Sequence, residues 1–297
     1  MRFMKRLSII FLIVFAIVSC EHVCVDDEPK TVEVVLSLSG APLAKADSPL
    51  IPDIENLIYD VWILQYDKMG LLIDKGTAHE RATSSGSLTA TVTTTFAVGE
   101  GNTICVLANL DKGNASAART WPQTLNEFKT SCNVIDLSSD IDGANAGTLE
   151  DMPMFGYWEG AISEEDYNNV QVSLGRMLTR INLVINNQSG STQTVKSISN
   201  VSKKVYAFPD VDHAALPDGA YPDGAYINVN INKDVASGKT AELYFYMAPN
   251  FTAGEENATK LKIGDKTVIL SNGAPSDSPR DFNLYHNSNY TFTINVK

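Results

Sequence analysis

The feature that most constrains the fold of this chain is a two-residue alternation of apolar and other side chains. It is clearest in three runs, at residues 31–39, 88–96 and 290–296. This period is typical of a β-strand with one buried face. β-Branched and aromatic residues crowd the runs, as a pleated surface prefers. In the first run the apolar positions are Val32, Val34, Leu36 and Leu38.

Many shorter runs extend the same prediction along the chain. Further strands are predicted at 59–66, 103–110, 170–174, 179–186, 225–231 and 242–247, with a hairpin of 260–263 and 267–270 turning at Gly264-Asp265. Helical patterning is confined to 121–129, with Thr120 as the predicted cap, and to a turn opened by Ser163. Short strands separated by Gly, Pro and Asn predict an all-β chain of sandwich domains with few short helices.

A polar stretch at residues 186–191 separates two groups of predicted strands. We therefore predict an N-terminal β-sandwich over residues 46–186 and a C-terminal β-sandwich over 187–297. The strand at 31–39 is expected to complete the first sandwich.

The first twenty residues have the pattern of an export signal. Three basic residues precede an apolar run from Leu7 to Val18, which is too short to span a bilayer of roughly 30 Å. Ser19 stands before Cys20, as in a lipoprotein signal peptide. Residues 1–19 are thus a predicted signal peptide, and Cys20 is the predicted acylation site of a leader over residues 20–45. Several acyl chains would hold the chain durably on a membrane. The alternative is an ordinary secretory signal followed by a chance cysteine.

The net charge limits the possible binding partners, and the number of cysteines limits the possible disulfides. The net charge of −12 argues against nucleic acid, whose phosphates require Lys and Arg. Four cysteines stand at 20, 24, 105 and 132, so acylation of Cys20 leaves an odd number. Cys105 lies in an apolar run and is predicted to be a small core residue, with a Cys105–Cys132 disulfide as the alternative.

No constellation of catalytic or metal-binding residues is found. The four histidines are scattered, and neither a nucleophile elbow nor a phosphate-binding loop occurs. We therefore predict that the chain is not an enzyme and needs no metal or cofactor. Arg176 and Arg180 interrupt an apolar run and are interpreted as structural, at an edge or paired with a carboxylate.

Several of these motifs, taken in order, resemble the type V pilins, or fimbrillin-like lipoproteins. The motifs are the Cys20 leader, Tyr59-Asp60-Val61-Trp62-Ile63-Leu64-Gln65-Tyr66-Asp67, Cys105-Val106-Leu107-Ala108-Asn109, Met152-Pro153-Met154-Phe155-Gly156, the strand at 176–185 and Asn287-Ser288-Asn289-Tyr290-Thr291-Phe292-Thr293-Ile294. The resemblance runs over nearly the whole chain. An acidic run at Asp26-Asp27-Glu28 is similar to the signal that sends some lipoproteins to the outer face of the outer membrane.

The resemblance implies two transthyretin-like β-sandwich domains in tandem and a structural subunit of a surface fimbria that supports adhesion. Family shaft subunits arrive as outer-membrane lipoproteins and are cut after the first strand by an Arg- or Lys-specific surface protease. Another pilin subunit then fills the exposed groove with its own strand. In this chain the cut is expected at Lys45–Ala46, within a Pro-bearing, loop-like segment, and the groove-filling strand carries Val32, Val34, Leu36 and Leu38.

Two alternatives remain at this point. The first is an uncut anchor or tip subunit, because no further strand follows the run that ends near Lys297. The second is a surface glycan-binding lipoprotein, with Trp62, Trp121, Trp158 and the repeated Tyr221 and Tyr226 as its aromatic residues.

Overall fold

The structure is a computed structural model that describes residues 30–40, 45–46, 57–80, 88–110, 119–130, 135–136, 152–164, 169–202, 204–205, 207–208, 226–252, 254–272 and 280–297. The predicted signal peptide, Cys20, Cys24, Cys132 and Tyr221 lie outside these residues. Within the described part of the chain, no helix is both long and apolar enough to cross a membrane.

The first domain is a seven-stranded sheet folded on itself as a sandwich. Its strand order is β4-β3-β6-β8-β9-β1-β5. The strands are β1 (Thr31–Gly40), β3 (Asp60–Tyr66), β4 (Leu72–Glu80), β5 (Thr89–Ala97), β6 (Gly99–Ala108), β8 (Met154–Ile162) and β9 (Asn169–Arg176). The sheet bends back on itself at Gly156, since β8 pairs with β9 only through Met154 and Phe155. A Cβ at Gly156 would clash with the backbone of Ser173, so glycine permits this close approach.

The second domain is a sandwich of two four-stranded sheets, ordered β14-β10-β17-β2 and β13-β11-β15-β16. Its strands are β10 (Thr179–Asn187), β11 (Gln193–Ser202), β13 (Tyr226–Val235), β14 (Thr240–Met247), β15 (Lys260–Ile263), β16 (Lys266–Ile269) and β17 (Ser288–Val296). The short strand β2 (Lys45–Ala46) joins its edge from the N-terminal region. A further two-stranded ladder pairs β7 (Ile135–Asp136) with β12 (Lys204–Val205).

The two domains share one topology. In the first, β1 pairs antiparallel with β5 and parallel with the last strand, β9. In the second, β10 pairs antiparallel with β14 and parallel with the last strand, β17. The other sheets correspond as well, with β4-β3-β6-β8 matching β13-β11-β15-β16 in chain order. Strand β10 is therefore the counterpart of β1.

Three apolar cores hold the chain together. One fills the first sandwich and another fills the second. The third lies on the opposite face of β3 and β6, where Phe128 and Phe155 meet Phe208 from the segment after β12. Met177, Leu178 and Tyr246 join this third core from the second domain. It therefore packs the two domains against each other.

The prediction of an all-β chain with two tandem sandwiches is confirmed, but the predicted boundary is placed too late. Strand β10 pairs with β14 and β17, so residues 179–187 open the second domain instead of closing the first. The chain passes between the domains at Met177-Leu178, both of which are buried.

The predicted helix at 121–129 is shorter than expected. The observed helix α1 spans Leu125–Thr130, and its cap is Thr124 instead of Thr120. The Thr124 hydroxyl oxygen accepts the Glu127 N–H at 3.1 Å, while the Glu127 carboxylate accepts the Thr124 N–H at 3.2 Å. This reciprocal capping box fixes the start of the helix.

Cys105 is a buried free thiol, as predicted for a small core residue, and its alternative partner Cys132 lies outside the described residues. Burial raises the pKa of the Cys105 thiol well above its usual range. The Arg180 guanidinium lies 4.9 Å from the ring centroid of Tyr244 and 5.8 Å from that of Tyr246.

Candidate functional site

Strand β1 lies between two neighbours, and the space it fills is here called the β1 groove. Nine residue pairs join β1 to β5, from Thr31–Ala97 to Ser39–Thr89. Six further pairs join it to β9, from Val35–Asn169 to Gly40–Leu174. The backbone of β1 is thus bonded on both sides, which is the position of a central strand although it comes first in the chain.

The inward face of β1 is the predicted apolar one. Val34, Leu36 and Leu38 are 1%, 0% and 2% exposed, and Val32 is partly buried against the same core. At about 1.5–3 kcal/mol per fully buried side chain, the three buried residues contribute on the order of 5–9 kcal/mol. The outward face carries Val35, which is 38% exposed. The alternation in the sequence thus gave the correct buried face.

The lining of the β1 groove is almost wholly apolar. Strand β5 contributes Ala90, Val92 and Phe96, β9 contributes Val170, Val172 and Leu174, and the facing sheet contributes Val61, Ile63, Ile104, Val106 and Met154. All of these side chains are buried. Such a lining selects an occupant with apolar residues at every second position and has little affinity for water.

Strand β5, one wall of the groove, is held by a second attachment that does not involve β1. In the described residues β5 pairs only with β1. The buried Gln65 of β3 binds it independently: the Gln65 amide donates to the Ala97 carbonyl at 2.8 Å and accepts the Ala97 N–H at 2.9 Å. The same amide donates to Asn102 at 2.9 Å, which completes the hydrogen bonds of a side chain with no exposure. The sequence signal for Gln65 was a lone amide in the apolar run Val61–Tyr66.

The predicted processing site, Lys45–Ala46, follows the C-terminal end of β1. Lys45 and Ala46 were expected in a loop, but their backbone forms β2, paired in parallel with Ser288 and Asn289 of β17. This ladder has only two residue pairs, far fewer than those of β1. The backbone at Lys45–Ala46 is therefore already extended.

The three tryptophans of the glycan-binding alternative pack against apolar cores. Trp62 and Trp121 are 8% and 6% exposed, with ring centroids 5.4 Å apart in the core between the domains. Trp158 packs against the core of the first sandwich. The backbone of Tyr226 begins β13. The tryptophans are thus structural residues.

No protein-family model and no curated protein matches the sequence. Solved structures do resemble the fold. The tip fimbrial protein Mfa3 from Porphyromonas gingivalis, with a C-terminal truncation, superposes with a TM-score of 0.58 at 15% identity, over 90% of this chain and 96% of that one. A protein from Parabacteroides distasonis assigned to cell adhesion gives 0.56 at 19% identity, over 89% and 88% of the two chains. A fimbrial assembly protein from Parabacteroides distasonis gives 0.53 at 12% identity, over 90% and 92%.

These likenesses cover both domains and nearly the full length of the solved chains. The resemblance to fimbrillin-like proteins drawn from the sequence is thereby confirmed at the level of the fold. The chain therefore shares the two-domain β-sandwich fold of these solved proteins.

Proposed function

We propose that this chain is a structural subunit of a surface pilus that supports adhesion, exported as a lipoprotein precursor and assembled by protease-triggered donor-strand exchange. Cys20 carries the lipid, and a surface protease specific for Arg or Lys cuts at Lys45–Ala46. Other pilin subunits are the partners. The subunit has a structural role and catalyses no reaction.

The observation that carries the proposal is the position of β1. An N-terminal strand occupies a central place in its sheet, and its departure would open an apolar groove bounded by two strands. An extended peptide that enters the groove gains backbone hydrogen bonds on both sides and burial of alternate side chains, which is recognition by strand addition.

The connection between β1 and the rest of its domain also supports the proposal. Residues 41–59 separate β1 from β3, whereas only residues 188–192 separate the equivalent β10 from β11. A cut within the long connection severs β1 without touching any other strand of the first sandwich. The cut strand then stays bound by its core contacts until a donor strand replaces it.

The experiment that tests the proposal is mass spectrometry of the mature N-terminus from intact cells and from sheared surface fibres. We expect acylated Cys20 in the precursor and Ala46 in the fibres. Fibres that contain only chains beginning at acylated Cys20 would contradict strand exchange and identify an uncut anchor or tip subunit.

Substitution of Lys45 tests the processing site. Lys45→Ala is expected to abolish polymers and to leave acylated precursor on the cell surface, because β1 cannot leave while it is covalently attached. The readout is the ladder of fibres in unboiled gels. Lys30→Ala is the matched control, since a cut before β1 would not release that strand, and its polymers should be normal. Unchanged polymers in Lys45→Ala would reject this site.

A further inference from the structure

An exposed apolar surface lies at the turn between β3 and β4. Met69, Leu71 and Ile73 are 70%, 46% and 38% exposed. Residues 68–73 are here called the hairpin tip. These three side chains belong to neither buried face of the sheet. Core packing therefore does not explain why they are apolar.

The hairpin tip is a well-ordered turn. The Asp67 carboxylate accepts the backbone N–H groups of Met69 and Leu71, both at 2.8 Å. Gly70 has φ of 75°, a conformation natural to glycine, and its carbonyl accepts the Leu125 N–H of the helix at 2.8 Å. The structure thus holds the apolar side chains outward from a fixed backbone.

The hairpin tip lies at the end of the first domain where β1 begins. Lys68 contacts the start of β6 closely, since a Cβ at Gly101 would lie 3.1 Å from the Lys68 Cβ. Val98, the residue between β5 and β6, holds the start of β1, because its N–H donates to the Lys30 carbonyl at 2.8 Å. Lys30 in turn forms an ion pair with Glu164 at 3.0 Å. The chain therefore enters the domain beside the hairpin tip.

The length of chain before Lys30 brings this end close to a membrane. From Cys20 to Lys30, a fully extended chain reaches at most about 35 Å. The other end of β1 lies about 30 Å further along the strand axis, toward Lys45. Acylation of Cys20 would thus keep the hairpin-tip end within about 35 Å of the bilayer, and along the chain this end is nearer to the anchor than Lys45 is.

We propose that in the uncut precursor the hairpin tip inserts its apolar side chains into the headgroup–acyl boundary of the membrane that carries the Cys20 lipid. This inference rests on the proposed lipidation. Lys68, the first residue of the tip, is exposed and can reach lipid phosphates, while Oδ1 of Asp67 accepts two backbone N–H groups of the turn. Three side chains bind a bilayer weakly alone but reinforce an acyl anchor. Replacement of the cut β1 by a donor strand removes the anchor, so the membrane contact is lost with it.

The test uses the mature chain, residues 20–297, with Cys24→Ser and Cys132→Ser, coupled through Cys20 to a maleimide lipid in phosphatidylcholine vesicles. Met69→Trp provides a fluorescent reporter. Its emission is obtained by subtracting the emission of the same protein without this substitution. We expect its emission to shift to the blue on the vesicles and to lose intensity when the acyl chains are brominated. Tyr244→Trp, at a site 39% exposed on the second domain, is the matched control and should show neither change.

Adding Leu71→Asp to Met69→Trp is expected to reduce both changes, because a charge is excluded from the acyl boundary. Emission from position 69 that is indifferent to brominated lipid in the folded, tethered protein would overturn the proposal. A blue shift that depends on surface density and not on bromine would also overturn it, and would assign the hairpin tip to contact with a second copy. Chemical coupling makes the result independent of natural acylation and of polymer assembly.

Discussion

Gln65 is a fully buried amide in the apolar run of β3, and its three hydrogen bonds satisfy its polar atoms. Two of them bind the backbone of Ala97, at the end of β5. The amide therefore attaches the edge strand to β3 through a link that survives the loss of β1. At the scale of single residues, this link would hold β5 in place during the proposed strand exchange.

Gln65→Leu is expected to lower the free energy of unfolding by about 2–4 kcal/mol, because the N–H and the carbonyl of Ala97 would be buried without a partner. Urea unfolding of the uncut protein measures the change. Gln171→Leu, on the exposed side of β9, is the matched control and should stay within about 0.5 kcal/mol. Equal effects of the two substitutions would show that the link to Ala97 is unimportant.

At the scale of strands and helices, alternation in the sequence predicted those strands that have one regular buried face. It located β1, β5, β10 and β17 to within a residue or two, and the hairpin of β15 and β16 as well. It missed β11 because irregular pairing in that strand spaces its buried residues three apart, at Val195, Ile198 and Val201.

Other elements were missed for different physical reasons. Strand β4 is an edge strand with a mixed polar sequence, and β8 is continuously buried up to Gly156 and only irregularly buried after it, so neither alternates. The true start of the helix was visible as the pattern Thr124-x-x-Glu127, the signature of a capping box. The pairing of Lys45 with β17 had no local signal, because it depends on how the two domains meet.

The two faces of β1 make a sharp test of strand addition, since Val34 and Val35 are neighbours with opposite environments. A protein that begins at Ala46 should recover stability when a peptide of residues 31–39 is added. Val34→Asp in the peptide is expected to weaken binding by at least about 3 kcal/mol, because it buries a carboxylate in the apolar groove. Val35→Asp should bind almost as the parent peptide does.

Isothermal titration calorimetry measures the two affinities directly. Equal binding of both variant peptides would mean that the groove does not recognise the inward side chains, and would contradict the burial seen at Val34.

At the scale of the whole molecule, the proposed strand exchange concerns only the first sandwich, because β1 and β10 are connected differently although the two domains share one topology. Strand β10 fills in the second sandwich the place that β1 fills in the first, with Ile181, Leu183 and Ile185 all 0% exposed. It is fixed at both ends, by Met177-Leu178 before it and by residues 188–192 after it. The second sandwich thus has the topology of the first, but its equivalent strand is not free to leave.

Cleavage at Lys45 should therefore loosen one domain selectively. We expect faster amide exchange in β5 and β9 after the cut, since both lose their connection to a covalently held β1. Exchange in β10 and β14 should be unchanged. Hydrogen–deuterium exchange with peptide-level mass spectrometry, before and after limited proteolysis, gives the comparison. Uniform acceleration across both sandwiches would indicate that they unfold as one unit.

The backbone ladders on both sides of β1 also determine how a strand in this position resists a pulling force. A strand seated there and pulled along its own axis cannot peel away one bond at a time, because the load falls in shear on the nine pairs with β5 and the six with β9 together. If a neighbour's strand takes this seat, each joint of the resulting fibre resists stretching through the parallel action of all those bonds. The arrangement that lets subunits be joined by non-covalent contacts is thus also one that withstands tension.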